Sequence, residues 1–556
     1  MLALLFLAGT AVLLGGYVVF GRILDRKFDA SAAHPTPATT EYDGVDFVPT
    51  RTPILFGHHF ASIAGAGPIV GPIIAAMAFG WLPAFLWILI GTTLIGGMHD
   101  YSALMASIRH GGRSIGDVAG RVVSPLTKKI FLWFIWLTLI YVLVVFLDLT
   151  ATTFVGNGGV ATSSILFIAL AILFGLFIYR FKLPTWAGSL IFVPLVFAAI
   201  FVGQQIPIHA SSLPAVAGSA TKTWSLILVV YCYLASVTPV WALLQPRDYL
   251  SSFLLYALVL ISAGGLLFGG FDLQYPPFLT FNSGIGPLFP ILFVVIACGA
   301  VSGFHSVIAS GTTAKQLSSE RDVKRIGYGA MTTEAVVALI ALATVIMLSM
   351  DSDIVAGYGA HQLTPLGVFA AGVGSFVKVF GIPAELGTAF GALAISTFLL
   401  TTLDTVTRLG RFLFNELFGV RQIKARFLTS LTALAAPTAL IFVTFHDAQG
   451  NVVPVWKAVW PVFGATNQLL AGLTLLILTV WLRRQGRRGL FVVLPMIFMF
   501  VVTLSALAYL VAGGSQNGLV EGIAIALFLL AIVMICLGIR ALRGGAMVSA
   551  AGGEET

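Results

Sequence analysis

The sequence predicts an all-α polytopic membrane protein, a single membrane domain over residues 1–556, and three observations predict it. Apolar residues make up 58% and charged residues 9% of the 556 positions, whereas soluble proteins carry charge at roughly a quarter of theirs. Runs of about 20 apolar residues, the length that crosses hydrocarbon as a helix, follow one another nearly end to end, with no block long enough for a soluble domain. The runs are also continuous, while strands of a membrane barrel would alternate and be about 10 residues long.

Hydropathy places about fifteen spans. The first, 1–20, has no basic residue ahead of its apolar run, so it lacks the charged start of a secretory signal and reads as a retained, peripheral helix. The second, 54–78, contains "HHFASIAGAGPIVGP". Gly65, Gly67 and Gly71 weaken a helix there, and Pro68 and Pro72 remove backbone donors, so the span is expected to break near mid-membrane. Spans at 81–107, 130–155, 160–180, 184–204, 224–245 and 250–270 complete a first repeat region, 54–270. A second region, 287–482, opens on span 287–311, whose "IACGAVSGFHSVIASGTT" carries Gly299, Gly303 and Gly311 and is expected to break at Ser302 and Gly303. Spans 327–349, 385–402, 426–446 and 456–482 follow, then peripheral C-terminal helices at 489–512 and 519–540.

Irregular backbone at bilayer depth survives only where it is buried in protein or lines an aqueous cavity. Helices broken in this way are how many secondary transporters aim half-helix ends at a ligand. The competing account is tight packing, since Gly57, Ala61 and Gly65, and Gly67 and Gly71, form small-xxx-small patterns. The strings "HHFASIAG" and "FHSVIASG" resemble each other. Seven spans separate the starts of their segments, an odd number, so the two cross in opposite directions, as the broken helices of inverted repeats do.

With the N-terminus outside and the C-terminus inside, 27 of the 30 Lys and Arg fall in cytoplasmic loops, leaving Lys222, Lys378 and Lys457 outside. This requires 364–381 to be re-entrant or to lie at the outer face, because a further span there would put the five positive charges of 408–426 outside. The net charge of +8 is then a topology signal, with a secondary affinity for anionic lipid, and not a nucleic-acid footprint. Cys232, Cys298 and Cys536 all lie in apolar runs, which indicates neither a disulfide framework nor a zinc ribbon.

An ionisable side chain at bilayer depth is costly and so is a functional candidate. His58 and His59 lie on the cytoplasmic side of the first break; His58 shares a helix face with Ser62, and His59 with Ile63. Either ring, like His305 at the second break, is a proton carrier or anion contact, or else a neutral imidazole bonded to a neighbouring helix. An anionic substrate would also gain from amides exposed at the breaks, around Gly65 and Gly67 and around Ser302 and Gly303. Asp100, beside His99 in "GGMHDYS", is the candidate carboxylate for proton coupling; Glu334 is a comparable case, and Asp148 reads as interfacial. Asp404 and Arg408, four apart on one helical face, are expected to pair at the inner mouth, as a gate or as a purely structural pair. Asn467 and Gln468 suit hydrogen bonds to substrate or between helices. Arg247 and Asp248, being adjacent, are expected to face apart and anchor a cytoplasmic loop.

Five strings in order, "FGHHFASIAGAGP", "YCYLASVTPVWALLQPRDYLS", "GAVSGFHSVIASGTTAKQL", "LDTVTRLGRFLFNELFG" and "WPVFGATNQLLA", resemble the carbon starvation protein A family, over about residues 50–480. The resemblance implies uptake of peptides or pyruvate across a bacterial inner membrane during carbon limitation. It also implies an ion gradient as the driving force and the inverted five-plus-five-helix, LeuT-like core of the amino acid/polyamine/organocation superfamily. Seven spans between the breaks would also suit a seven-plus-seven repeat, with the five-plus-five core and extra helices the preferred reading. The residues themselves show no Walker A loop, nucleophile elbow or zinc-protease string in context, so neither an ATP-driven pump nor an enzyme is expected.

Protons are the favoured coupling ion because titratable groups lie near the breaks. A sodium-coupled carrier of amino acids or other small carboxylates is the alternative, with Ser62, Ser306 or Thr312 and opened carbonyls as ligands. A different class is a redox protein in which two of His58, His59, His99 and His305 hold haem, and a passive channel is the third reading. The expected partners are a small-molecule substrate and the bilayer, with no nucleic acid and no resident cofactor; the oligomeric state is open.

Overall fold

The computed structural model describes residues 1–44, 47–216, 218–239, 242–360, 362–420, 426–446, 450, 452–487, 489–514 and 518–543. Among them, twelve helices are long and apolar enough to cross a membrane. These are Leu2–Phe28, Trp81–Arg109, Pro125–Gly156, Gly158–Tyr179, Thr185–Gln205, Ala220–Val237, Leu244–Phe268, Glu320–Ile346, Ala384–Phe418, Val455–Arg484, Leu490–Ala512 and Gly518–Arg543. A thirteenth candidate is a pair, Thr52–Ile63 and Gly67–Phe79, bent by 45°. The fifteen spans expected from hydropathy thus become twelve or thirteen. The span expected at 287–311 contains two helices of 8 residues, Leu288–Val295 and Phe304–Gly311, each about 12 Å long at 1.5 Å per residue. Arg426–Ile441 has 16 residues, about 24 Å against a hydrocarbon core of about 30 Å. A hydropathy window averages across such interruptions, which is why both segments read as full spans.

The Val455–Arg484 and Ala384–Phe418 helices form the centre: their most apolar 18-residue windows are 100% and 89% buried, against 28% for both Leu2–Phe28 and Gly518–Arg543. The Ala384–Phe418 helix runs past its expected end at 402. Leu403, Val406, Leu409 and Leu413 keep an apolar stripe at helical spacing, and the helix stops at Gly419, whose φ of +66° closes it in the left-handed conformation glycine favours. Arg408 and Arg411 therefore lie inside a helix and not in a loop; positions 421–425 of that expected loop fall outside the described residues. The short glycine-rich segment is a 14-residue helix, Pro365–Lys378. It packs on the long helix where Gly374 and Gly387 bring the backbones together.

The first break needs little outside help. Pro68 is the second residue of its helix, where a missing N–H costs nothing, and its ring would collide with the carbonyl of Ala64 in a continuous helix. The chain accordingly turns at Ala64–Ala66, with the Gly65 amide donating to the Ile63 carbonyl at 2.8 Å. Among the described residues, three helices are locally widened into π-helix, at Gly91–Gly96, Lys324–Tyr328 and Leu510–Gly514. The first two belong to the helices that follow the broken segments. The Tyr328 hydroxyl donates to the Thr93 carbonyl at 2.7 Å, so one widened turn completes the other's hydrogen bonding.

Candidate functional site

The two broken segments lie directly against each other. A Cβ at Gly67 would overlap Cys298, and one at Gly71 would fall 2.5 Å from the Val295 carbonyl oxygen. Glycine is thus required at Gly71, where backbone meets backbone, and at Gly67 it leaves room for the Cys298 side chain. The second break is wider than Ser302 and Gly303 alone: the helix ends at Val295 and resumes at Phe304. Its exposed backbone groups are taken up by neighbours. Trp87 donates to the Ile296 carbonyl at 3.1 Å and Thr92 to that of Gly299 at 3.3 Å. The Asn467 Oδ1 accepts from the Phe304 amide at 2.9 Å, while its carbonyl accepts from Gly303 at 3.2 Å. Asn467 Nδ2 also reaches Ser302 Oγ at 3.2 Å, and Gln468 Nε2 donates to the Phe293 carbonyl at 2.5 Å. Both amides hold the break open. This is the helix-to-helix option of the sequence reading, applied to the backbone of a candidate binding segment.

Between the breaks sits a cavity of about 10 Å³, lined by Gly65, Gly67, Cys298 and Thr402 and closed by Phe146, Phe304 and Phe463, with room for about one water. The segment is occluded in this conformation. Thr402, near the middle of the long Ala384–Phe418 helix, was not foreseen as part of it.

Beside the second break, His99, Asp100, His305 and Glu334 form one chain, all at 0% exposure. Asp100 faces His99 Nδ1 through Oδ1 at 2.8 Å and His305 Nδ1 through Oδ2 at 2.7 Å. The other ring nitrogen of His305, Nε2, lies 3.1 Å from Glu334 Oε2. Both nitrogens of His305 are therefore turned to carboxylates, which leaves neither for a haem iron. Sequence reasoning singled out Asp100 beside His99, His305 and Glu334 as candidates and did not connect them into one cluster. The available signal was that Asp100 and Glu334 each lie in the span that follows a broken segment.

The first pair of histidines does point two ways. His59, fully buried, meets Thr313 at 2.8 Å. His58, 26% exposed, lies 3.3 Å from Asp248. Asp248 also accepts from Arg247 at 3.1 Å, and Arg247, itself fully buried, donates to both Asp404 and Tyr231. Two expectations are corrected here. Arg247 and Asp248 are not a loop anchor: they start the Leu244–Phe268 helix inside the protein, and a flexible guanidinium reaches back to its neighbour despite the divergent Cα directions. Asp404 takes Arg247 as its ion-pair partner, not Arg408, whose guanidinium donates to the carbonyls of Ala235 and Thr238 at 2.9 Å each. Tyr231, which also donates to Asp404 at 2.8 Å, went unrecognised because tyrosine in an apolar run carries no distinguishing pattern.

The remaining candidates are held locally. Ser62 donates to the His58 carbonyl, Ser306 to that of Gly303 and Thr312 to that of Ile308, so each hydroxyl is engaged with its own segment, and Ser306 also meets Thr474 of the Val455–Arg484 helix at 3.0 Å. Asp148 is buried and accepts from the Trp456 amide at 2.9 Å, capping the start of the Val455–Arg484 helix.

The family model described as "Carbon starvation protein CstA" matches residues 1–362 and 349–506. A "Peptide transporter CstA" of Helicobacter pylori is 33% identical over 560 residues, covering 89% of this chain and 80% of that protein. A Bacillus subtilis protein of the same name is 31% identical and covers 96% and 94%. The "Pyruvate/proton symporter BtsT" of Escherichia coli is 33% identical, covering 86% and 77%. Among solved structures, a mutant manganese transporter of Eremococcus coleocola superposes with a TM-score of 0.44 at 13% identity, covering 88% of this chain and 95% of that one. With a matching family model along nearly its whole length and relatives at about a third identity, the chain belongs to the CstA family of membrane transporters.

Proposed function

We propose that the protein imports a small organic nutrient, pyruvate or a peptide, together with protons, by alternating access across a bacterial inner membrane. The observation that carries this reading is the occluded cavity between two abutting broken segments, with a buried histidine–carboxylate chain against one of them. Opened backbone at such a point supplies polar contacts for a substrate that apolar walls alone would not, and buried titratable groups supply a place for a proton. The activities for which the relatives are named, peptide transport and pyruvate/proton symport, fit it. A core of two inverted repeats accounts for the parallel between the halves: each broken segment is followed by a helix with a widened turn and a buried carboxylate. In this reading the N-terminus is outside. The Arg247 assembly, which ties His58 of the first broken segment to the helices carrying Tyr231 and Asp404, then acts as the cytoplasmic gate.

The test is uptake into proteoliposomes under imposed proton and sodium gradients, with pyruvate, lactate, dipeptides and amino acids in competition. Accumulation of pyruvate or a dipeptide driven by an inward proton gradient and abolished by an uncoupler is the expected result. Accumulation driven by sodium alone, or equilibration without accumulation, would replace the reading with a sodium carrier or a channel.

A further inference from the structure

We infer that His305 and Glu334 together form the site that holds the coupling proton while the transporter is occluded, with Asp100 and His99 positioning the ring. The inference rests on the proton-symport reading. Among the described residues, the titratable side chains that face the pair are Asp100 and His99 from the Trp81–Arg109 helix, His59 from the first broken segment and Cys298 from the second break. None of them is a lysine or arginine, so the local charge balance depends on protons alone.

The two carboxylates are not equivalent. Asp100 has a ring nitrogen on each oxygen, at 2.8 and 2.7 Å, which suits an ionised carboxylate. Glu334 is equally buried, yet its nearest partner is His305 Nε2 at 3.1 Å, and neither of its oxygens makes an aligned hydrogen bond. With His305 an imidazolium bridging the two acids and the other histidines neutral, an ionised Glu334 leaves the sealed cluster with a net charge of one, whereas a protonated Glu334 leaves it neutral. A net buried charge without a partner is strongly unfavourable at this depth. Occlusion therefore requires the proton on Glu334, and reopening to water permits its release.

The cluster also has a mechanical route to the cavity. Ala338 lies one turn beyond Glu334 on the same helix face, and its Cβ would be 3.0 Å from a Cβ placed on Gly299. His305 is the second residue after the break, and Cys298, inside it, lines the cavity. A change of charge at Glu334 thus acts on the strip of backbone that forms one wall of the candidate binding site.

The experiment compares the wild type with Glu334→Gln, which mimics the protonated acid. In proteoliposomes, Glu334→Gln is expected to lose at least tenfold of its proton-driven accumulation while still exchanging internal for external substrate, and that exchange is expected to be independent of pH. If Glu334→Gln accumulates substrate in response to a proton gradient as the wild type does, the assignment is wrong while proton symport stands. If the wild type itself shows no response to a proton gradient, the symport reading fails first. Should Glu334→Gln not assemble, infrared difference spectra of the wild type on substrate binding take its place. The carbonyl stretch of a buried carboxylic acid is expected, displaced in Glu334→Asp; its absence, or no displacement in that variant, would overturn the inference.

Discussion

The two broken segments reach similar geometry by different means. The first is interrupted for three residues, Ala64–Ala66, by its own glycine and proline, and its histidines reach outward: His58 to Asp248 and partly to water, His59 to Thr313. The second is interrupted for eight residues, from 296 to 303, without a proline inside the gap. It depends on Trp87, Thr92 and Asn467 from other helices, and its histidine is sealed between two acids. The first break is a property of its local sequence; the second is a property of the assembled bundle. The half connected to water suits opening and closing, and the half held by other helices suits storing charge.

That contrast can be broken most forcefully at Arg247, which ties the first segment's network together. Arg247→Ala leaves Asp404 and Asp248 buried without their cation and is expected to cost about 4 kcal/mol, the usual penalty for removing one partner of a buried pair. Thermal unfolding in detergent would measure it. Arg247→Met combined with Asp404→Leu should recover most of the loss, because packed apolar groups replace such pairs at little cost. If the single variant is as stable as the wild type, the network is not what holds these helices together.

Next in size are the glycines. A Cβ at Gly303 would run into the backbone of Ala471 and Asn467, which cannot yield without moving the central helix. One at Gly65 meets the Phe146 ring at 2.9 Å and the Thr402 hydroxyl at 3.1 Å, side chains that can turn aside. Gly303→Ala is therefore expected to cost about 3 kcal/mol and Gly65→Ala less than half of that, within the range for overpacking. Equal costs in unfolding experiments would mean that the first break is as rigidly framed as the second.

This difference also explains what could be read in the sequence. "AGAGPIVGP" announces a break because proline and glycine act through the chain itself. The second break was placed at Ser302 and Gly303, its last two residues, because its start at Ile296 is fixed by Trp87 more than 200 positions away. The same holds for charge. Asp100, His305 and Glu334 were visible as isolated costly residues, but ion-pair partners depend on which helices touch. Asp404 was therefore assigned its helical neighbour Arg408, when Arg247 reaches it from another helix. The span count failed where a hydropathy window smoothed over the gap at 296–303 and the shortness of Arg426–Ile441.

Asn467 tests the claim that the second break is held from outside. Asn467→Ala strands the Phe304 amide and removes the contact to Ser302, which is expected to cost about 2 kcal/mol for a buried donor left unsatisfied. Pro68→Ala at the first break should stay under about 1 kcal/mol, since a helix-start proline makes no hydrogen bond to lose. If the two variants unfold at the same temperature, the distinction between a locally and a globally maintained break fails.

The smallest effect is expected at His58, in contrast to His305. A double-mutant cycle of His58→Gln with Asp248→Asn should give a coupling under about 1 kcal/mol, because the ring is partly exposed and water screens the pair. The cycle of His305→Gln with Asp100→Asn should give a coupling of about 2–3 kcal/mol, near the upper end for directly contacting groups, since both are sealed from solvent and aligned at 2.7 Å. Equal couplings would place both histidines in the same electrostatic environment, and charge storage could then no longer be assigned to the second segment in preference to the first.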